Sequence, residues 1–269
     1  MEEPEIAPSK AGVKKAVFAF GRMQPPTEGH AYLIRSVIEA AGEDGDAYIF
    51  PTSTHEKKKI SVNSTKKSKR RKTEKVSASS AAASAVANSP KTVEAKEVAE
   101  EVNNPLTIDQ KVHWLRIMFP EGARIINTTK QGCMMIFQVI DKLLDAGYTD
   151  ISIVVGADRK KDFEKMFSHP STNAKAMSKG ATLSVRVLPR PEEAISGTKV
   201  RTMAARGQIT KFRGSVKTGL MTDADALELM NQVREAMLLE PIETSLEGGS
   251  SARANTTKRT TKRKRRTYK

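Results

Sequence analysis

Apolar positions along this chain alternate between short solid runs and longer, regularly spaced ones. AVFAF (16–20) is a continuous run of aromatic and β-branched character and predicts a buried strand. From Gly29 to about Ala41 the apolar residues Ala31, Leu33, Ile34, Val37 and Ile38 follow the spacing of one helix face. A GEDGD turn (42–46) leads into a second strand, AYIFPT (47–52), stopped by Pro51. Periodicity resumes in NPLTIDQKVHWLRIMFP (104–120). There Thr107 predicts an N-cap, Gln110 its capping-box partner, and Pro120 the end of the helix. ARIINTT (123–129) predicts a strand and QGCMMIFQVIDKLLDAG (131–147) a helix closed by Gly147. DISIVVGAD (150–158) is the strongest strand, and a short helix (159–167) and a polar loop follow it. TLSVRVLPR (182–190) predicts the fifth strand, SGTKVRTMAARGQ (196–208) a helix, and DADALELMNQVREAMLL (223–239) the last helix.

Strands that are apolar throughout, each followed by a helical segment, predict a parallel sheet covered on both faces. The expected fold is α/β, a Rossmann-like doubly wound five-stranded parallel sheet. Ligands of such sheets bind beyond the carboxyl ends of the strands, where the strand order reverses. One stretch breaks the alternation. From Thr54 to about Asn103 the chain is Lys, Ser, Ala, Thr and Glu with no aromatic residue, too little apolar surface to offset its ordering entropy. It predicts a disordered insertion (54–103), with a transient helix near 91–102, inside a domain spanning 15–240. Residues 1–14 predict a frayed, disordered leader and 241–269 a disordered tail.

Composition narrows the class further. The formal net charge is +15, but KKSKRRKTEK (66–75) and KRTTKRKRRTYK (258–269) together carry +14 of it. The remainder is nearly neutral, so the basicity belongs to two runs outside the expected core. Those runs offer contacts to nucleic acid or a nuclear-localisation signal. The one cysteine, Cys133, predicts no internal disulfide and a reducing, intracellular setting, cytoplasmic or nuclear. No apolar run is long enough to span a bilayer, and the acidic, Pro-containing start predicts no secretory signal.

Candidate chemistry lies just after two strands. In FAFGRMQPPTEGH (18–30), Gly21 ends a strand, Pro25 and Pro26 stiffen a loop, and Gly29-His30 begin a helix. Free N–H groups at that helix start favour an anion, Gly29 keeps the approach open, and His30 can donate to a phosphate oxygen. A Pro-rich loop with a surface histidine is the plain alternative. In ISGTKVR (195–201), Ser196, Gly197 and Thr198 stand at a helix start with Lys199 and Arg201, a second phosphate cradle. Its plain alternative is a Ser N-cap on a basic helix. Among the remaining candidates, Trp114 and Cys133 read as core residues, and His113 and His55 lack partners at ligand spacing.

Together GRMQPPTEGH and ISGTKVR resemble the two signature motifs of the nucleotidyltransferase superfamily, H/T-x-G-H and I-S-S/T-T-x-I/V-R. The form is most like phage and large-virus proteins described as nicotinamide-nucleotide adenylyltransferase-like or cytidylyltransferase-like. NPLT…K…FP (104–120) and GAD (156–158) are similar to that subgroup, and the resemblance covers roughly residues 15–210. It implies an enzyme that transfers a nucleoside monophosphate, AMP from ATP, to a phosphorylated acceptor such as nicotinamide mononucleotide, with release of pyrophosphate. It implies His30, Thr27 and Arg201 as catalytic residues, with His30 on the α-phosphate and Thr27 replacing a first histidine. Phe20, Gly21, Arg22, Gly29, Ser196, Gly197 and Thr198 would bind nucleotide or phosphate, and Asp158 the ribose or acceptor unless it only caps the helix at 159–167. Mg²⁺ would accompany the triphosphate, with no dedicated protein metal site. Other expectations stay open: CTP with a phosphorylated alcohol or sugar, a non-catalytic nucleic-acid-binding or virion protein on the same fold, and self-association. The insertion is a departure, because related chains pass from the second strand to NPL through a short loop.

Overall fold

The computed structural model describes residues 3–56, 101–189, 195–216 and 220–243. Of the disorder expected for 54–103 and 241–269, residues 57–100 and 244–269, and with them both basic runs, lie outside these residues. The ends that are described are held in place, the Asn103 N–H donating to Glu56 at 3.1 Å and the Ile242 N–H to Asn231 at 2.9 Å. Five strands, β1 (Lys15–Gly21), β2 (Gly45–Pro51), β3 (Arg124–Ile125), β4 (Asp150–Gly156) and β5 (Thr182–Leu188), form one sheet in the order β3-β2-β1-β4-β5. Every pairing is parallel. The order reverses between β1 and β4, which opens a crevice at their carboxyl ends.

The helices are α1 (Glu28–Ala41), α2 (Ile108–Met118), α3 (Ile136–Asp145), α4 (Lys160–Phe167), α5 (Pro170–Ser178), α6 (Gly197–Ala205), α7 (Ile209–Val216) and α8 (Asp223–Ala236). A 3₁₀ turn, Ala157–Arg159, joins β4 to α4. Successive strand residues point to opposite faces, and each face has its own core. Val17, Ala19, Ile49 and Val154 join α1, α2, α6, α7 and α8 on one side. Ala16, Phe18, Phe50, Ile151 and Ile153 join α3 and α4 on the other. The expected Rossmann-like, doubly wound five-stranded architecture is the one observed. Among the described residues no helix is long and apolar enough to cross a membrane.

Several local expectations need correction. β3 holds only two residues, because the chain turns at Asn127, whose side-chain oxygen accepts from the N–H groups of Thr129 (3.2 Å) and Lys130 (3.1 Å). That turn continues through Gly132, at φ 64°, so α3 starts at Ile136 rather than 131. The loop expected after α4 contains α5, started by Pro170 at its first turn and burying only Thr172 and Ala176. The helix expected to run to Gln208 ends at Ala205, Gly207 turns the chain at φ 69°, and a further helix, α7, starts at Ile209, seated on the core by Phe212 and Val216.

Residues 3–14 form no strand or helix, but they are docked rather than frayed. The Ser9 N–H donates to Asp46 at 2.9 Å, Arg116 pairs with Glu3 at 2.8 Å, and Ile6 and Val13 rest on the second core. Asp46 also accepts from the Tyr148 hydroxyl at 2.6 Å, and Arg124 donates to Asp46 and to the Tyr48 hydroxyl. Burial alone would raise the Asp46 pKa; the hydrogen bonds from Tyr148 and Ser9 and the Arg124 charge outweigh it and hold the carboxyl below its ordinary value. This network ties the leader to the amino-terminal ends of the strands, away from the crevice.

Candidate functional site

Two helix N-termini face one cleft of about 450 Å³ at the carboxyl ends of the strands. The first belongs to α1. β1 ends at Gly21, and the next residues turn sharply through Met23, which is buried at φ 49°, and a cis Gln24–Pro25 bond. Thr27 is the N-cap of α1, and His30 is its third residue. The Thr27 N–H donates to His30 Nδ1 at 3.0 Å, and the Thr27 hydroxyl lies 2.9 Å from the same nitrogen. The histidine therefore occupies the capping-box position usually held by Glu or Gln. A ring nitrogen that accepts a backbone N–H carries no proton, so the neutral ring carries its proton on Nε2. Burial lowers the ring's pKa to about 4. At neutral pH His30 is thus an uncharged donor of fixed tautomer lining the cleft.

The second N-terminus belongs to α6. Ser196 is its N-cap and accepts from the Lys199 N–H at 3.3 Å. Gly197 lies against the β1 loop so closely that a Cβ there would stand 2.9 Å from the Gln24 carbonyl oxygen. Arg201, one turn along, is buried and donates to the Gln24 carbonyl at 2.9 Å, to Asn103 Oδ1 at 3.0 Å and to the Thr198 hydroxyl at 3.1 Å. Burial, and then the charge of Arg22, lower the Arg201 pKa to about 10, while Glu56 acts the other way; the guanidinium stays charged at neutral pH. Arg22 itself is exposed on the cleft.

Asp158 stands inside the 3₁₀ turn after β4 and does not cap α4. It is exposed and lines the cleft. Its carboxylate folds back over Gly156, where a Cβ would meet Asp158 Oδ1 at 2.6 Å. The fold thus brings Arg22, Thr27, Gly29, His30, Asp158, Ser196, Gly197, Thr198 and Arg201 to one cleft. Phe20 and Gly21 do not line it. Phe20 rests against the second core, and Gly21 is still paired in β1, with its carbonyl accepting from the Thr52 N–H at 2.8 Å. A Cβ on Gly21 would meet nothing closer than Met23 at 4.0 Å, so close ligand approach does not require glycine there.

Some cleft residues escaped the sequence reading. Gln24, Tyr32, Asn103 and Gly156 all line the cleft. Gly156 lies in the GAD segment (156–158), but the resemblance gives a site role only to Asp158 of that segment, and Asn103 carries no local pattern that marks it. Gln24 lies inside the quoted motif, but its contacts reach residue 106, and no periodicity reports a contact 82 residues away. Trp114 is fully buried and donates to Gln232 at 2.8 Å, and Cys133 is buried, its thiol pKa pushed up to about 11. Among the described residues no group of three or more His, Cys, Asp or Glu side chains could hold a metal ion. No family model, curated protein or solved structure matches this chain.

Proposed function

We propose that this protein is a nucleotidyltransferase that joins a nucleoside monophosphate, AMP from ATP, to a phosphorylated small-molecule acceptor and releases pyrophosphate. The observation that carries the reading is the convergence of two helix N-termini on one cleft at the sheet's switch point, one presenting His30 and the other Ser196, Thr198 and Arg201. Helix N-termini favour anions through unpaired N–H groups and the helix dipole. Two of them, with Arg22 and Arg201, match a polyphosphate better than a single carboxylate ligand.

In this reading an oxygen of the acceptor phosphate attacks the α-phosphorus in line. A new P–O bond forms there, the bond to the bridging β-phosphate oxygen breaks, and pyrophosphate leaves with that electron pair. The acceptor phosphate is already an anion at neutral pH, so no base has to remove a proton. His30 donates its Nε2 proton as a hydrogen bond to an α-phosphate oxygen and keeps that proton throughout. The N–H groups of α6 and the Ser196 and Thr198 hydroxyls hold the β- and γ-phosphates, and the Arg201 charge lies behind them. Mg²⁺ carried by the triphosphate would supply charge neutralisation, and among the described residues lining the cleft Asp158 is the one carboxylate.

The test is pyrophosphate release from the full chain with Mg²⁺, each nucleoside triphosphate in turn, and a panel of phosphorylated acceptors including nicotinamide mononucleotide. Release with ATP and the mononucleotide is the expected result. Release with CTP and a phosphorylated alcohol would reassign the base and acceptor. No release with any pair, together with tight salt-sensitive DNA binding, overturns the enzyme reading.

A further inference from the structure

The geometry points to Gln24 as a positioning residue that sets the spacing of the two phosphate-facing helices; the inference rests on the proposed function. Gln24 is 4% exposed and satisfies its side-chain amide entirely with backbone. Oε1 accepts from the Leu106 N–H at 2.9 Å, and Nε2 donates to the Leu106 carbonyl at 2.8 Å and to the Thr54 carbonyl at 3.3 Å. That two-point grip on Leu106, with Thr54 beside it, leaves the residue little freedom to shift. Its own carbonyl then receives Arg201 and bears on Gly197. Three residues later the same loop becomes Thr27, which holds His30.

Gln24 therefore fixes one loop from below, and that loop carries both the His30 cap and the acceptor that aims Arg201. The buried Lys111 reinforces the anchor, because its Nζ donates to the Thr52 carbonyl and, at 3.3 Å, to the same Thr54 carbonyl that Gln24 uses. The amide is needed in both senses. One atom must accept from an N–H and the other must donate to two carbonyls, so a carboxylate of identical shape would set negative charge against carbonyl oxygens. A protonated carboxylic acid, by contrast, can donate as the amide does.

The experiment compares wild type, Gln24→Glu and Gln24→Ala for pyrophosphate release with the best substrate pair, from about pH 8.5 to about pH 5.5. Each is assayed well below its own melting temperature. Relative to wild type, Gln24→Glu should lose about tenfold or more in kcat at the alkaline end and recover most of it as pH falls, since burial and the facing Thr54 and Leu106 carbonyls raise the pKa of the introduced carboxyl against the opposing pull of the Lys111 and Arg201 cations. Gln24→Ala should be similarly impaired and show no recovery. A Gln24→Ala enzyme within twofold of wild type, or a Gln24→Glu to wild-type ratio that is flat with pH, overturns the inference. If wild type turns over no pair, the proposed function fails separately, and the same comparison is read from binding of inorganic tripolyphosphate. Weakened binding by Gln24→Glu that recovers at low pH upholds the positioning role; equal binding, or none by wild type, overturns it.

Discussion

Thr27 and His30 are three residues apart at a helix start, where the side chain at the later position commonly accepts a backbone N–H. Glutamine can do that, but it cannot present an imidazole Nε2–H. His30→Gln should therefore fold with its cap retained and lose roughly a hundredfold or more in kcat, the scale of a lost phosphoryl donor. A variant within a few-fold of wild type in steady-state assays would remove His30 from the mechanism. The ring's pKa of about 4 lies below the ordinary 6.5. Between those values the unfolded chain binds a proton that the folded chain refuses, so stability falls as pH drops from 6.5 toward 4, by up to about 3 kcal/mol from this group. His30→Gln should lack that component, which urea unfolding of both proteins at about pH 7 and about pH 4.5 would reveal as a smaller acid loss in the variant. Gly197→Ala tests the meeting of the two loops. Its methyl would stand 2.9 Å from a backbone oxygen, so α6 must shift. We expect a loss of about 1–3 kcal/mol in stability and a raised KM for the triphosphate, measured by denaturant titration and initial rates.

Helix caps separate scaffold from site. Thr107 caps α2 with a full box to Gln110, and Ser196 caps α6 at the cleft. Replacing either by alanine should cost about 1 kcal/mol of stability. Only Ser196→Ala should also weaken triphosphate use, and equal KM values in the two variants would deny Ser196 a part in binding. The boundaries of α2 and the core strands were legible in sequence because capping chemistry and solid apolar runs are local signals. α5 was not, since a helix that buries only Thr172 and Ala176 shows no apolar stripe. β3 is shorter than its apolar run suggests because Ile126, buried and still donating its N–H to the Ile49 carbonyl at 2.9 Å, is followed at once by the Asn127 turn, and apolar character reports burial rather than strand length. At the site, both motifs were legible as local patterns of Gly, Ser, Thr and His. Phe20 and Gly21 stand at the head of the first motif, but β1 runs through both: Phe20 packs on the second core and the Gly21 backbone stays paired with β2, so neither reaches the cleft. The bracing by Gln24 and Asn103 was invisible because it joins segments far apart in the chain.

At the scale of the molecule, the two ends of the insertion meet. The Glu56 N–H donates to the Asn104 carbonyl at 2.7 Å, and the Asn103 N–H donates to the Glu56 carboxylate at 3.1 Å. Replacing residues 57–100 by a short Gly/Ser linker should therefore leave the melting temperature within about 3 °C of wild type, because the ordered partners on both sides are retained. A drop well beyond that in a thermal scan would show that the replaced residues contribute to the fold. The same junction has a further consequence. Gln24 and Arg201 meet across 177 residues of chain, one on each side of it. Cutting the polypeptide between Glu56 and Asn103 would yield two pieces, each with part of the cleft lining, and on the proposed function neither should hold a triphosphate alone. Mixed together, they would regain binding only by re-forming the sheet, so ligand capture would serve as a direct reporter of their complementation.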